Sequence, residues 1–317
     1  MTSSRIVSCL LTALFMAASP SVHAEEATTS SQSAPPAITA APPEAVSTSS
    51  SLGRFFSEAE WYFSWGYSAQ TWAPTDIHVS QSNPNGLGDS NFTVHDVKGH
   101  DVPGWDNGII GTGLFVPQYN IRIGRFIDAE RTLAVELNLD HTKYTSDNGQ
   151  TARVTGTIDG QAVDKDMVLD EKNFSYKLHN GANHLMVNLV KRVPLLGKTN
   201  ETFSLAGIGK IGAGLVIPHS SNTIQNNPNN VGEKKMKNFF GFHHGWWQFD
   251  GVTAGVEAGL RFVVARPVYL ELTDKVAYAR MYDIPVYQGT AKHNLWMNEV
   301  VFSLGVTYDG PKAAAKK

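Results

Sequence analysis

From Trp61 onward apolar and polar residues alternate with a period of two, and eight stretches keep that alternation for about ten residues or more. They run over 60–72, 117–127, 132–145, 182–193, 202–217, 250–265, 267–281 and 294–308. In the third, Leu133, Val135, Leu137 and Leu139 share one face while Glu136, Asn138 and Asp140 share the other. The sixth sets Val252, Ala254, Val256, Ala258, Leu260, Phe262 and Val264 against Thr253, Glu257 and Arg261. The seventh sets Val268, Leu270, Leu272, Val276 and Tyr278 against Glu271, Thr273 and Lys275. Each stretch is long enough to cross a bilayer as a tilted strand of about 9–11 residues. Beyond residue 24 no run of about 20 apolar residues exists, so no helix is expected to span a membrane.

The connections alternate in length. Stretches two and three are joined by Asp128-Ala129-Glu130-Arg131, four and five by 194–201, and six and seven by Arg266-Pro267. One to two, three to four and five to six are joined by polar loops of roughly 30–45 residues, and seven to eight by about a dozen, far above the usual length. An even number of strands, with short turns at one end and long loops at the other, predicts an all-β fold: an eight-stranded antiparallel up-and-down transmembrane β-barrel with long extracellular loops. A soluble lipocalin-like barrel would alternate too, with its apolar face turned inward around a ligand. Aromatics near strand ends (Trp61, Trp65, Trp72, Trp246, Trp247, Trp296 and Tyr308) suit interfacial girdles and favour the membrane.

The first residues favour it as well. Residues 1–24 read as a secretory signal: Arg5, an apolar stretch from Cys9 to Ala18, then Val22-His23-Ala24 for cleavage. Cys9 precedes the apolar stretch, where an acylated cysteine would follow it, so no lipid anchor is expected. Residues 25–52, almost wholly Ala, Thr, Ser, Pro, Gln and Glu, read as a disordered periplasmic leader. The barrel is expected over 53–308, with 309–317 as a short basic tail. Of 317 residues 42% are apolar and only 17% charged; 26 basic and 29 acidic residues leave no excess to hold nucleic acid. The only cysteine goes with the signal, which removes disulfides and thiol chemistry from the mature chain.

Over 60–308 the chain resembles the small eight-stranded bacterial outer-membrane proteins of the OmpA/OmpX type in strand number, alternation and loop asymmetry. Val300-Val301-Phe302-Ser303-Leu304-Gly305-Val306-Thr307-Tyr308 looks like the terminal strand that the barrel-assembly machinery recognises, here followed by a tail. The resemblance implies insertion into the outer membrane among lipopolysaccharide, both termini in the periplasm and the long loops outside the cell.

With the apolar faces on lipid, Arg122, Lys210, Arg261 and Lys275 fall in the lumen with Glu136, Asp140, Glu257, Glu271 and Glu299. An eight-stranded barrel is only wide enough for side chains to fill, so these charges are expected to compensate one another as a plug. A gated pore for small polar solutes and a proton relay are the alternatives. Runs six and seven, antiparallel through Arg266-Pro267, allow Arg261 to meet Glu271, or Glu257 to meet Lys275.

Ten of the eleven histidines fall in the long loops or the strand ends feeding them: His78, His95, His100, His141, His179, His184, His219, His243, His244 and His293. Imidazoles beside carboxylates suit a divalent transition metal or a surface that charges in mild acid, but no metal-site spacing such as His-Glu-x-x-His is present, and ordinary polar packing of the loops explains the same residues. No metal and no cofactor is therefore expected. Pro218-His219-Ser220-Ser221-Asn222, with Glu233 beyond, is similar to the active-site pattern of outer-membrane lipid A deacylases. That resemblance implies Ser221 as nucleophile, His219 as general base and Glu233 as the group orienting the imidazole. It departs from the family in lying after strand five of a long barrel, and a Pro-His-Ser-Ser-Asn turn opening a loop explains the same letters. The expected role is structural or surface-interacting, through large loops that bind an external partner, polysaccharide or surface. A lipid A acyl hydrolase and a narrow channel are the competing readings.

Overall fold

The computed structural model describes residues 60–105, 108, 113–179, 181–198, 201–229 and 248–310. The signal and leader expected over 1–52, the start of the barrel segment, Glu233, His243, His244, Trp246, Trp247 and residues 311–317 lie outside them.

Eight long strands form the barrel wall: β1 (Glu60–Trp72), β2 (Tyr119–Phe126), β3 (Leu133–Asp140), β4 (Ala182–Leu196), β5 (Ser204–Pro218), β6 (Gly251–Ala265), β7 (Val268–Val286) and β8 (Gly289–Asp309). Each pairs antiparallel with the next. β8 then pairs with β1 from Glu60↔Asp309 to Trp72↔Met297, which closes the ring and leaves the wall without an edge. Burial alternates along each strand, with the apolar set outward: Ile123, Leu137, Val187, Val256, Leu272 and Phe302 are all about half exposed. Polar residues on the buried inner face, with Leu and Val outside, are the reverse of a lipocalin.

Two expectations about the loops change. The connection between stretches seven and eight is no loop of a dozen residues, because β7 and β8 continue as a hairpin to Val286↔Gly289 around Tyr287-Gln288. The third stretch stops as a wall strand at Asp140 rather than 145, since the chain there turns over the mouth: Thr142 Oγ1 donates to the Ala182 carbonyl (2.7 Å) and Trp72 Nε1 to that of Lys143 (3.1 Å). The long connections are themselves built. Thr75–Gln81, Ser90–Val97, Thr151–Ile158 and Gln161–Val168 extend the sheet outward from the far end of β8, with Gly289↔Gln81 and His293↔Ile77 as the joining register. Ile77, Val79, Phe92, Val94, Ala152 and Val154 bury one face of this extension.

Candidate functional site: a layered lumen

Three layers fill the barrel. At the turn end, Tyr62, Phe126, Ala134, Val190, Ile208, Val263 and Tyr269 form an apolar and aromatic floor. Glycine makes the rings fit: a Cβ on Gly124 would stand 2.0 Å from the Tyr62 ring, and one on Gly305 would stand 2.1 Å from that of Tyr269. At the loop end, Ala277, Ala279, Met281, Leu295 and Met297 line the wall under Tyr144, Phe174, Tyr176, Leu178 and Ile224 from the long connections. Tyr176 Oη and His293 Nε2 meet at 3.0 Å beneath this roof.

Between floor and roof lie the nine charges, all buried. Glu271 is the hub: its carboxylate reaches Arg261 Nη2 at 2.6 Å, Lys210 Nζ at 2.9 Å and Arg122 Nη1 at 3.1 Å. Glu257 takes Arg122 Nη1 at 2.8 Å and Lys210 Nζ at 3.2 Å. Glu136 accepts from Tyr62 Oη (2.8 Å), Asn188 Nδ2 (3.0 Å) and Lys210 Nζ (3.3 Å). Lys275 pairs with Asp140, which also accepts from Asn138 Nδ2 at 2.8 Å, and stands 3.9 Å from Glu299. Glu299 takes the Gln70 amide at 3.1 Å. The Arg261 guanidinium is sandwiched by the floor rings, 4.1 Å from the centroid of Tyr269 and 4.7 Å from that of Tyr62.

The cross-strand rungs are Arg261↔Glu271 and Glu257↔Lys275. Arg261 does meet its rung partner, whereas Lys275 turns across the lumen to Asp140 and leaves Glu257 to Arg122 and Lys210. Tyr62, Asn138, Asn188 and Gln70 also belong to the network, and their signal in the sequence is a polar residue at every second position of a strand. Glu271, Glu257, Glu136 and Asp140 each have two or more charged or neutral donors, the condition under which buried ions are tolerated, whereas Glu299 Oε2 faces Lys275 at 3.9 Å, beyond hydrogen-bond distance.

A second ion cluster, which the alternation of polar and apolar residues does not mark, ties the barrel seam at the turn end. Glu60 opens β1 and Asp309 ends β8; Arg131 meets them at 2.9 and 3.2 Å, and Arg266 at 2.9 and 2.7 Å. The outer face carries one carboxylate that the alternation passed over: Asp274, between Leu272 and Val276, accepts from Asn298 Nδ2 on β8 at 2.6 Å.

The His-Ser pair does not share a strand face, because β5 ends at Pro218 and both residues follow it. His219 is buried and Ser221 exposed, with the Ser221 N–H donating to the Lys177 carbonyl at 2.8 Å. The histidines divide by position. His184 and His293 point into the barrel, His141 stacks on Tyr119 with a bond to Asn183 (2.7 Å), and His95 and His100 pair with Asp76 (3.1 Å) and Asp147 (2.5 Å). Among the described residues no group of three or more His, Cys, Asp or Glu side chains is arranged to hold a metal.

No protein-family model and no curated protein matches the chain. Among solved structures it is similar to the outer membrane protein OprG of Pseudomonas aeruginosa (11% identity, 80% of this chain and 98% of that one, TM-score 0.34). It is also similar to the outer membrane protein AlkL in lipid bilayers (10%, 86% and 97%, 0.31) and to Neisserial surface protein A (11%, 78% and 96%, 0.27). These three proteins are small outer-membrane β-barrels.

Proposed function

We propose that the protein is a closed outer-membrane barrel that serves as a rigid base for an extracellular platform. The observation that carries this reading is the filling of the lumen from floor to roof, with a charged layer held between an apolar roof and an aromatic floor in which the buried Arg192 stacks on Phe126 at 4.2 Å. A barrel that conducted would need a continuous polar path, and both ends of this one are lined by packed side chains. The short turns and the Glu60–Asp309 seam belong in the periplasm, where the barrel-assembly machinery would deliver the chain. The sheet extension built from Thr75–Gln81, Ser90–Val97, Thr151–Ile158 and Gln161–Val168 then stands outside the cell. Its outermost strand, Gln161–Val168, is exposed along almost its whole length and carries Asp164, Lys165 and Asp166, which guard it against pairing with other strands and leave its side chains for recognition.

Cells displaying the parent should adhere to polysaccharide-coated surfaces more strongly than cells lacking it, and replacing the hairpin 151–168 by a short Gly-Ser turn should abolish the difference while heat-modifiable gel migration stays unchanged. Equal adhesion with and without the hairpin, or none by the parent, would reject the platform.

A further inference from the structure

Where the wall of β7 and β8 leaves the apolar belt, its outer face changes character within three rungs. Tyr278 and Trp296 are registered neighbours with ring centroids 5.0 Å apart, the form of an interfacial aromatic girdle. The next rung on the outer face is Arg280↔Asn294, and Lys292 pairs with His78 on the strand Thr75–Gln81 beyond it. Arg280 and Lys292 are thus diagonal neighbours on one face, roughly 7–8 Å apart at the backbone, close enough for one phosphate to take both heads. Both are exposed, and neither has an ion pair with a carboxylate among the described residues. Tyr278, Arg280, Lys292 and Asn294 border a surface recess of about 320 Å³ that also includes Tyr282 and Asp76.

We propose that this recess binds a phosphate of an outer-leaflet glycolipid headgroup, with Arg280 and Lys292 as its cationic contacts. The inference rests on the reading that the loop end faces outward. Four features fit that ligand. The Tyr278–Trp296 pair sets the recess at the boundary between acyl chains and headgroups, where a lipid phosphate lies. Arg280 and Lys292 supply charge-assisted donors that pair with no carboxylate among the described residues. Asp76, the carboxylate at the rim, is already engaged by His95 Nδ1 (3.1 Å) and the Asp96 N–H (2.9 Å). His78, held below its ordinary pKa by burial and by Lys292, bonds to Thr93 (3.0 Å) and Ser80 (3.3 Å) and adds no charge at neutral pH.

Purified full-length protein in detergent micelles, titrated with diphosphorylated lipid A and read by native mass spectrometry, tests the site. The parent should bind lipid A at least tenfold more tightly than its dephosphorylated form. The double variant Arg280→Gln, Lys292→Gln should lose that preference, whereas Lys198→Gln, exposed at the opposite, turn end of the barrel, should keep it. Millimolar inorganic phosphate should not displace the lipid. Equal binding of the two lipids by the parent, an unchanged preference in the double variant, or full displacement by inorganic phosphate would each overturn the proposal. Should the double variant fail to show heat-modifiable migration, the parent's preference between the two lipids still decides. Micelles present lipid to both ends of the barrel, so failure here counts against the recess and not against the orientation, which protease accessibility on whole cells reads separately.

Discussion

Replacing Glu271 by Gln should destabilise the barrel by about 3–5 kcal/mol, the cost of leaving buried cations without the acid that compensates them. The substitution keeps the shape of the side chain and removes only its charge, so packing changes little. What remains is Arg122, Lys210 and Arg261 crowded within 3.1 Å of a neutral amide, with Glu257 and Glu136 already shared among the first two. Arg261 is the worst placed, because its nearest remaining neighbours are the rings of Tyr62 and Tyr269. Urea unfolding from phospholipid vesicles reads the loss directly. The control is Lys198→Ala at the turn end, where an exposed pair with Glu201 at 3.8 Å should be worth about 1 kcal/mol or less.

Leu137→Arg should cost about 2–4 kcal/mol in the same assay, the depth-dependent price of a cation on the lipid face of a barrel. Leu137 is 49% exposed and sits between Ile123 of β2 and Val187 of β4, in the middle of a wall whose outer residues there are aliphatic. The penalty should vanish in a detergent that lets water reach the side chain, which separates a lipid-facing position from a packed one. A variant as stable as its parent in bilayers would mean that the outer face is not the lipid face.

The strand count and the inside-outside assignment were legible because both follow from a period of two, and a strand buried on one face has no other way to write itself. The first stretch, 60–72, even has the bounds of β1. Reach was harder to read. Ile284, Val286 and Ala291 continue the alternation past Met281, but Asp283 and Pro285 break the pattern at the bulge between Met281 and Ile284, so a hairpin passed for a loop. The upper sheet was hidden for a similar reason, its strands being short and set among Asn, Gly and Asp. Ion pairing was the least legible. A rung fixes which residues lie side by side on neighbouring strands, and Arg261–Glu271 could be read from it. Lys275–Asp140 spans the lumen, and the stagger of all eight strands decides which side chains meet there. Asn138 illustrates the consequence: alternation marks it as one more polar lumen position, whereas its amide holds Asp140 beside Lys275.

The central claim is that the lumen is closed, and single-channel recording in a planar bilayer tests it most directly. The unmutated protein, inserted and verified by heat-modifiable migration, should give no steady conductance above that of the lipid alone. A stable open level in that protein, recurring with each insertion, would contradict the closed lumen.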